Sequence, residues 1–286
     1  MRKRNVLLFL LLLLCRAGDS RGQAPTSVHC TEEDRVIFDR YVRAMKTKQT
    51  LPPGELITET ALFFLETPYV ASTLEKEPER LVVNLREMDC TTLVETCLAL
   101  VHTLKSGQPS FETYCRHLQR IRYRDGAIRD YTDRLHYFSD WIYENERKGL
   151  VRDMTRQIDG KPCRISVSWM SAHPESYRQL KSHPRWVEVI RRKEEEISAR
   201  KGYAMIPEAS LAACDGGMKN GDLVCFVTRI EGLDISHLGI ICRKGEVLNF
   251  IHASSQARKV IVEPRSLARY VADIRTNAGV MIVRPE

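Results

Sequence analysis

No internal repeat or low-complexity tract runs through the 286 residues, and Gly and Pro, at 15 and 12, are too few for a collagen-like or linker-like chain. After Leu14 no second long apolar run occurs, which argues against a membrane span in the body of the chain. There is no dense block of cations either. The formal charge of +7 includes Arg2, Lys3, Arg4 and Arg16 in the first seventeen residues; the +3 that remains is interspersed with acids, unlike a dedicated nucleic-acid surface. Nine cysteines are present, but Cys30, Cys90, Cys97, Cys115, Cys163, Cys214, Cys225 and Cys242 form no CxxC pair, no dense disulfide framework and no zinc-ligand spacing. Most of them read as small buried hydrophobes, and no metal or other cofactor is expected. With 43% hydrophobic, 7% aromatic and 28% charged residues, the chain has the balance of a globular protein able to fill one core.

The N-terminus carries Arg2 to Arg4, the apolar run Val6 to Leu14, then small and polar residues from Ala17. This order predicts an export signal, residues 1–17, too short to span a bilayer and cleaved after Ala17 with Cys15 at the minus-three position. Lipid attachment at Cys15 is the rival; bulky Leu14 immediately upstream disfavours it. The expected location is therefore the periplasm or cell envelope, and the expected product is one domain over 28–286, a monomer.

Helical periodicity predicts helices over 31–48, closed by Leu51-Pro52-Pro53-Gly54, and over 55–66. Residues 91–104 are apolar nearly all round, as a central buried helix should be. From 111 to 215 helical patterns alternate with polar loops as an insertion, in which the charge run Arg191 to Glu196 reads as a solvated helix face. Then the period changes. Residues 222–228, 235–242, 247–252, 258–262 and 280–283 read as strands. Helices first and strands later indicate an α+β fold with a mostly antiparallel sheet.

Two features carry chemistry. Asp89 is placed to cap the buried helix, which puts the Cys90 thiol on its first turn, where unsatisfied backbone donors and the helix dipole favour a thiolate. A packed, inert Cys90 is the alternative. A two-residue turn at Lys244-Gly245 pairs Cys242 with Val247 and, counting outward, sets His237 opposite His252, close enough for a hydrogen-bonded imidazole pair. A thiol at a helix start with a base and an orienting partner is the logic of thiol hydrolases.

The ordered blocks Thr67-Pro68-Tyr69, Asp89-Cys90-Thr91, Gly221-Asp222-Leu223-Val224, Ser236-His237-Leu238-Gly239-Ile240 and Phe250-Ile251-His252-Ala253-Ser254-Ser255 resemble the NlpC-type superfamily of papain-like cysteine hydrolases. Met88 to Glu95, Tyr123-Arg124-Asp125-Gly126 and Arg134 to Trp141 are similar to its N-acetylmuramoyl-L-alanine amidase-like branch. The resemblance implies a papain-like NlpC-type core with a helical and loop insertion. It implies Cys90 as nucleophile, His237 as general base and then acid, His252 as the residue orienting it, and Tyr69 as a hydroxyl beside the reacting carbonyl. The backbone N–H of Cys90 would belong to the oxyanion hole. Thr91 stands where Ser is common in the superfamily, and Ala71-Ser72 where Gly-Gly is common. Asp89 could meet a free amine or serve only as a cap.

By the same resemblance the activity is an exported cysteine amidohydrolase that acts through a thioester on peptidoglycan fragments (muropeptides), at the N-acetylmuramoyl-L-alanine amide. A γ-D-glutamyl-diamino acid endopeptidase, an acyltransferase using the same triad, and a non-catalytic cell-wall binding module are the other readings. Between residues 120 and 141 the chain mixes Arg120, Arg122, Arg124, Arg129 and Arg134 with Tyr123, Tyr131, His136, Tyr137 and Trp141. That mixture suits a sugar face and a carboxylate, so Arg124, Arg134, His136, Tyr137 and Trp141, with Asp89 and Thr91, are the candidate substrate-binding residues. Asp125, Asp130 and Asp133 could instead neutralise the arginines in place.

Overall fold

A computed structural model describes residues 28–286. The expected export signal, with Cys15 and Ala17, lies outside the described residues. Strands β1 (Val28–His29) and β2 (Leu81–Val82) form a small parallel pair. Between them lie α1 (Glu32–Ala44) and α2 (Pro53–Phe63). The first opens with a capping box between Thr31 and Asp34. Asp34 is fully buried and also accepts from the Leu85 N–H (2.8 Å) and Arg86 Nε (3.1 Å), so one carboxylate fastens the helix start to the segment leading into the next helix.

That next helix, α3 (Cys90–Lys105), has twelve buried residues out of sixteen, as its all-round apolar sequence predicts. α4 (Phe111–Arg122) has a one-sided pattern and packs on α3. Then come α5 (Phe138–Arg147), β3 (Val151–Asp153), β4 (Lys161–Pro162), α6 (Trp169–Ala172), α7 (Arg178–Ser182), α8 (Pro184–Ala199), β5 (Ala204–Pro207) and α9 (Leu211–Cys214). The stretch 111–215 is thus more than helices and loops: its three short strands extend the main sheet.

The C-terminal part supplies β6 (Leu223–Thr228), β7 (Ile235–Lys244), β8 (Val247–Ser254), β9 (Lys259–Val262), α10 (Leu267–Asp273) and β10 (Asn277–Pro285). The main sheet has the order β4-β5-β10-β6-β7-β8-β9, with β3 also on β10, and every pairing in it is antiparallel. The fold is therefore α+β with a mostly antiparallel sheet. β6 is buried throughout because its alternate residues serve two cores. Leu223, Cys225 and Val227 join the large core with α3, whereas Val224 and Phe226 join a smaller one with Leu267, Tyr270 and Val271 of α10. Burying each such aliphatic side chain stabilises by about 1.5–3 kcal/mol.

The eight described cysteines are all free, and Cys97, Cys115, Cys214, Cys225 and Cys242 are buried as expected of packed thiols. The charge run at Arg191 is solvated except for Glu194, which is buried, and Lys193, which is half-buried. Among the described residues no helix is long and apolar enough to cross a membrane.

Candidate active site

The cysteine helix begins as the sequence suggests. The Asp89 side chain accepts from the Thr92 N–H (2.8 Å) and hydroxyl (2.9 Å), and the Thr92 hydroxyl accepts from the Asp89 N–H (2.9 Å). Asp89 is the N-cap and Cys90 the first helical residue, so the Cys90 N–H has no acceptor within the helix. The thiol lies against the Leu238 backbone N–H and the Thr91 hydroxyl, one residue along β7 from His237. Tyr69 is half-buried on the adjoining loop, bridged to Met88; burial, with the charges of Cys90 and Asp89, raises its pKa.

The histidines meet, but by a different register from the one counted. The β7–β8 hairpin pairs Lys244 with Val247, so the two-residue loop is Gly245-Glu246. Gly245 has φ +64°, a conformation that suits glycine at the first position of a type II′ turn. Pairing Ile240 with Ile251 leaves His237 and His252 diagonal rather than opposed. A shift of two residues preserves the face, and imidazoles are long enough to close the diagonal. His237 Nε2 lies 2.6 Å from His252 Nδ1. Gly239 makes room for this arrangement, since a Cβ there would come within 2.5 Å of the Phe250 ring, which packs against His252.

Beyond His252 lies a residue that sequence reasoning missed. Glu263, on the segment after β9, brings Oε2 to 3.3 Å from His252 Nε2, while its other oxygen accepts from Arg265 Nε at 2.7 Å. Burial works against the Glu263 carboxylate, but Arg265 and His252 outweigh it and hold its pKa down. The 3.3 Å approach is an ion-pair distance without a formed hydrogen bond at His252 Nε2, and a carboxylate there favours the His252 tautomer that carries its proton on Nε2. In that tautomer His252 Nδ1 accepts from His237 Nε2–H, which leaves the lone pair of His237 on Nδ1. Tyr270 of α10 encloses the pair, its ring centroid 5.8 Å from that of His252 and 6.3 Å from that of His237. Neither Glu263 nor Tyr270 belongs to a local motif; only counting β8 against β9, which pairs His252 with Ile261, would have drawn attention to Glu263.

The electrostatics differ from the sequence expectation of a stabilised thiolate. Burial pushes the Cys90 thiol up to about 12, with Asp89 adding to it, and the Leu238 N–H and Thr91 offset only part of this. Burial likewise lowers His237 to about 3, helped by His252. Each group is thereby shifted toward its neutral form, because desolvation outweighs the hydrogen bonds that favour the charged thiolate.

The substrate-binding expectation for residues 124–141 is corrected by the structure. Trp141 has no exposed surface; its indole N–H donates to Glu95 at 3.2 Å, and Glu95 also pairs with Arg122 at 2.6 Å. Arg134 is buried, with Glu75 at 2.7 Å and Glu79 at 2.8 Å. Arg124 is held by Asp140 and by Glu144 at 3.2 Å. The buried Tyr137 hydroxyl donates to Glu194 (2.6 Å) and accepts from the Met170 N–H (3.0 Å). His136 Nε2 lies 2.9 Å from the Tyr131 carbonyl. These polar and aromatic groups fix the insertion to the core, and their faces and charges are engaged internally. Of the substrate-binding candidates only Asp89 and Thr91 lie with Cys90.

A family model described as AmiA-like, N-acetylmuramoyl-L-alanine amidase-like, matches residues 59–280. The chain belongs to this family. An N-acetylmuramoyl-L-alanine amidase from Bacteroides uniformis is 38% identical, with a TM-score of 0.78 over 82% of this chain and 99% of its own. A Bacteroides fragilis protein named as a candidate xylanase is also 38% identical, with a TM-score of 0.75 over 79% of this chain and 99% of its own. Protein LPG0564 from Legionella pneumophila, 23% identical with a TM-score of 0.67 over 89% of this chain and 94% of its own, shares the fold. A comparison with curated proteins finds no match. Membership in the AmiA-like family indicates an amidase-type hydrolase related to peptidoglycan.

Proposed function

We propose that the protein is an exported cysteine amidohydrolase of the NlpC-type, papain-like kind, which cleaves the amide between N-acetylmuramic acid and L-alanine in peptidoglycan fragments. The observation that carries this reading is the helix-start thiol of Cys90 against the Leu238 N–H, one residue from His237, with His237 2.6 Å from His252 and His252 3.3 Å from Glu263. Family membership supplies the substrate class.

The thiol proton passes to His237 Nδ1 as Cys90 Sγ attacks the lactyl carbonyl, and the developing oxyanion is met by the Cys90 N–H and the Tyr69 hydroxyl. His237 then protonates the departing L-alanine amine as the C–N bond breaks, leaving a muramoyl thioester. Water gives a proton to His237 and attacks the thioester; the carboxylate leaves and the proton returns to sulfur. With the thiol shifted up and the imidazole shifted down, proton transfer accompanies attack.

Cys90→Ala and His237→Ala should each remove nearly all turnover of a disaccharide-peptide while the purified proteins keep the wild-type melting behaviour, and iodoacetamide should inactivate the wild type. Full activity in Cys90→Ala would end this reading.

A further inference from the structure

Four rings from three neighbouring strands meet: Phe226 of β6, His237 of β7, and Phe250 and His252 of β8. Tyr270 of α10 reaches this group from outside the sheet and contacts all four. Its ring centroid lies 5.1 Å from that of Phe226, 4.9 Å from Phe250, 5.8 Å from His252 and 6.3 Å from His237, and the residue is 8% exposed. The Arg265 guanidinium lies over the same ring, 4.7 Å from its centroid. That guanidinium donates to Glu263 at 2.7 Å and to Asp273 at 3.3 Å, and Asp273 follows Tyr270 by three residues on α10, so the two share a helix face. One short helix therefore meets the base, the histidine beside it and, through Arg265, the carboxylate beyond. The outer torsion of an imidazole is broad and roughly two-fold, so a single hydrogen bond leaves the ring free to swivel. A catalytic side chain keeps its productive orientation only when packing and outer contacts lock that torsion.

We propose that α10 is the positioning element of the histidine pair: the Tyr270 ring fixes the imidazole planes of His237 and His252, and Tyr270 with Asp273 holds Arg265, and through it Glu263, in place beyond His252. Both residues act through other side chains. The contacts of Tyr270 with the four rings and with Arg265 are made by its ring, so the hydroxyl is dispensable for this role and phenylalanine can replace it. The proposal rests on the amidase reading for the reaction it serves, whereas the contacts stand without it. A purely structural Tyr270 would behave like Val271, which is fully buried on the same helix in the same smaller core.

The test compares Tyr270→Leu, Tyr270→Phe, Asp273→Asn and Val271→Ala in the full-length protein, labelled with 15N-histidine and assayed on a disaccharide-peptide well below each melting midpoint. Tyr270→Leu should lower kcat about 10- to 100-fold with KM within about twofold, and the imidazole 15N shifts of His237 and His252 should move toward averaged tautomers. Tyr270→Phe should restore both. Asp273→Asn should shift His252 and lower kcat in the same direction by a smaller factor, while Val271→Ala should lower the midpoint and change neither shifts nor kcat. The Asp273 side chain is 27% exposed, so Asp273→Asn decides alone if Tyr270→Leu does not fold. Unchanged shifts and kcat in Tyr270→Leu or in Asp273→Asn, Tyr270→Phe no better than Tyr270→Leu, or Val271→Ala reproducing the Tyr270→Leu changes would each overturn the proposal. The 15N shifts need no substrate, whereas failure of the amidase reading would appear as wild-type protein that leaves the amide intact or as turnover in Cys90→Ala.

Discussion

Replacing Arg134 separates an internal role from a substrate-binding one. Its guanidinium side chain is 7% exposed and sits between Glu75 and Glu79, and the Glu79 side chain is itself 3% exposed. The Tyr123 hydroxyl also donates to Glu79, at 2.7 Å. Arg134→Ala leaves a buried carboxylate without its cation, a change that costs about 3–5 kcal/mol. For a domain of this size each kcal/mol moves the midpoint by roughly 2–4 °C, so a fall of roughly 6–20 °C is expected. Differential scanning calorimetry gives the midpoint, and steady-state kinetics on a disaccharide-peptide at low temperature gives KM for the folded fraction. KM should stay within about twofold, because no Arg134 hydrogen-bonding group is left for a ligand. Adding Glu79→Gln to Arg134→Met should recover part of the stability by removing the orphaned charge. A midpoint within about 2 °C of wild type together with a tenfold rise in KM would refute the reasoning and return Arg134 to the substrate.

Three other outcomes follow from the site. Glu263→Gln removes the charge that orients His252; kcat should fall about 10- to 100-fold with KM little changed, and the imidazole 15N shifts of His237 and His252 should report altered tautomers, whereas unchanged shifts and kcat would exclude this role. With the Cys90 thiol raised to about 12, alkylation by iodoacetamide should rise about tenfold per pH unit between pH 7 and 9; a plateau from pH 6 upward would show a standing thiolate–imidazolium pair. His136 and His237 are lowered to about 3 and His102 to about 4, below the ordinary value of 6.5. On acidification the unfolded chain therefore binds these protons first, and stability falls as pH drops from about 6.5 toward those values, by about 1.4 kcal/mol per unit for each group. His102→Gln should flatten the slope of urea-derived stability against pH between 6 and 4.5, and an unchanged slope would contradict the assignment.

What the sequence made legible was governed by periodicity. The α3 helix and the strands from β6 to β9 announce themselves by apolar pattern, and the Asp89 cap fixes where Cys90 sits. The His237–His252 pair survives a misplaced turn because an even shift keeps both side chains on one face. Burial was harder to read: the helix-start position argues for a thiolate, and only the packed site shows desolvation prevailing. The 120–141 segment was misread because arginines and aromatics compose a sugar site and an internal ion-pair network equally well. The deciding partners, Glu75, Glu79, Glu95 and Asp140, are 16 to 59 residues distant from the arginines they hold. The strands β3, β4 and β5 are two to four residues long, too short to show a period.

In the proposed reaction Cys90 attacks the muramoyl lactyl carbonyl. Mass spectrometry of wild-type and Cys90→Ala reactions with a defined N-acetylglucosaminyl-N-acetylmuramoyl-peptide tests it most directly. Expected products are a disaccharide bearing a free lactyl carboxylate, a stem peptide with L-alanine at its free amino terminus, and, on acid quench of the wild type alone, a disaccharide-sized adduct on the Cys90 peptide. A product in which L-alanine and D-glutamate remain on the sugar would contradict this reaction, as would turnover that persists in Cys90→Ala.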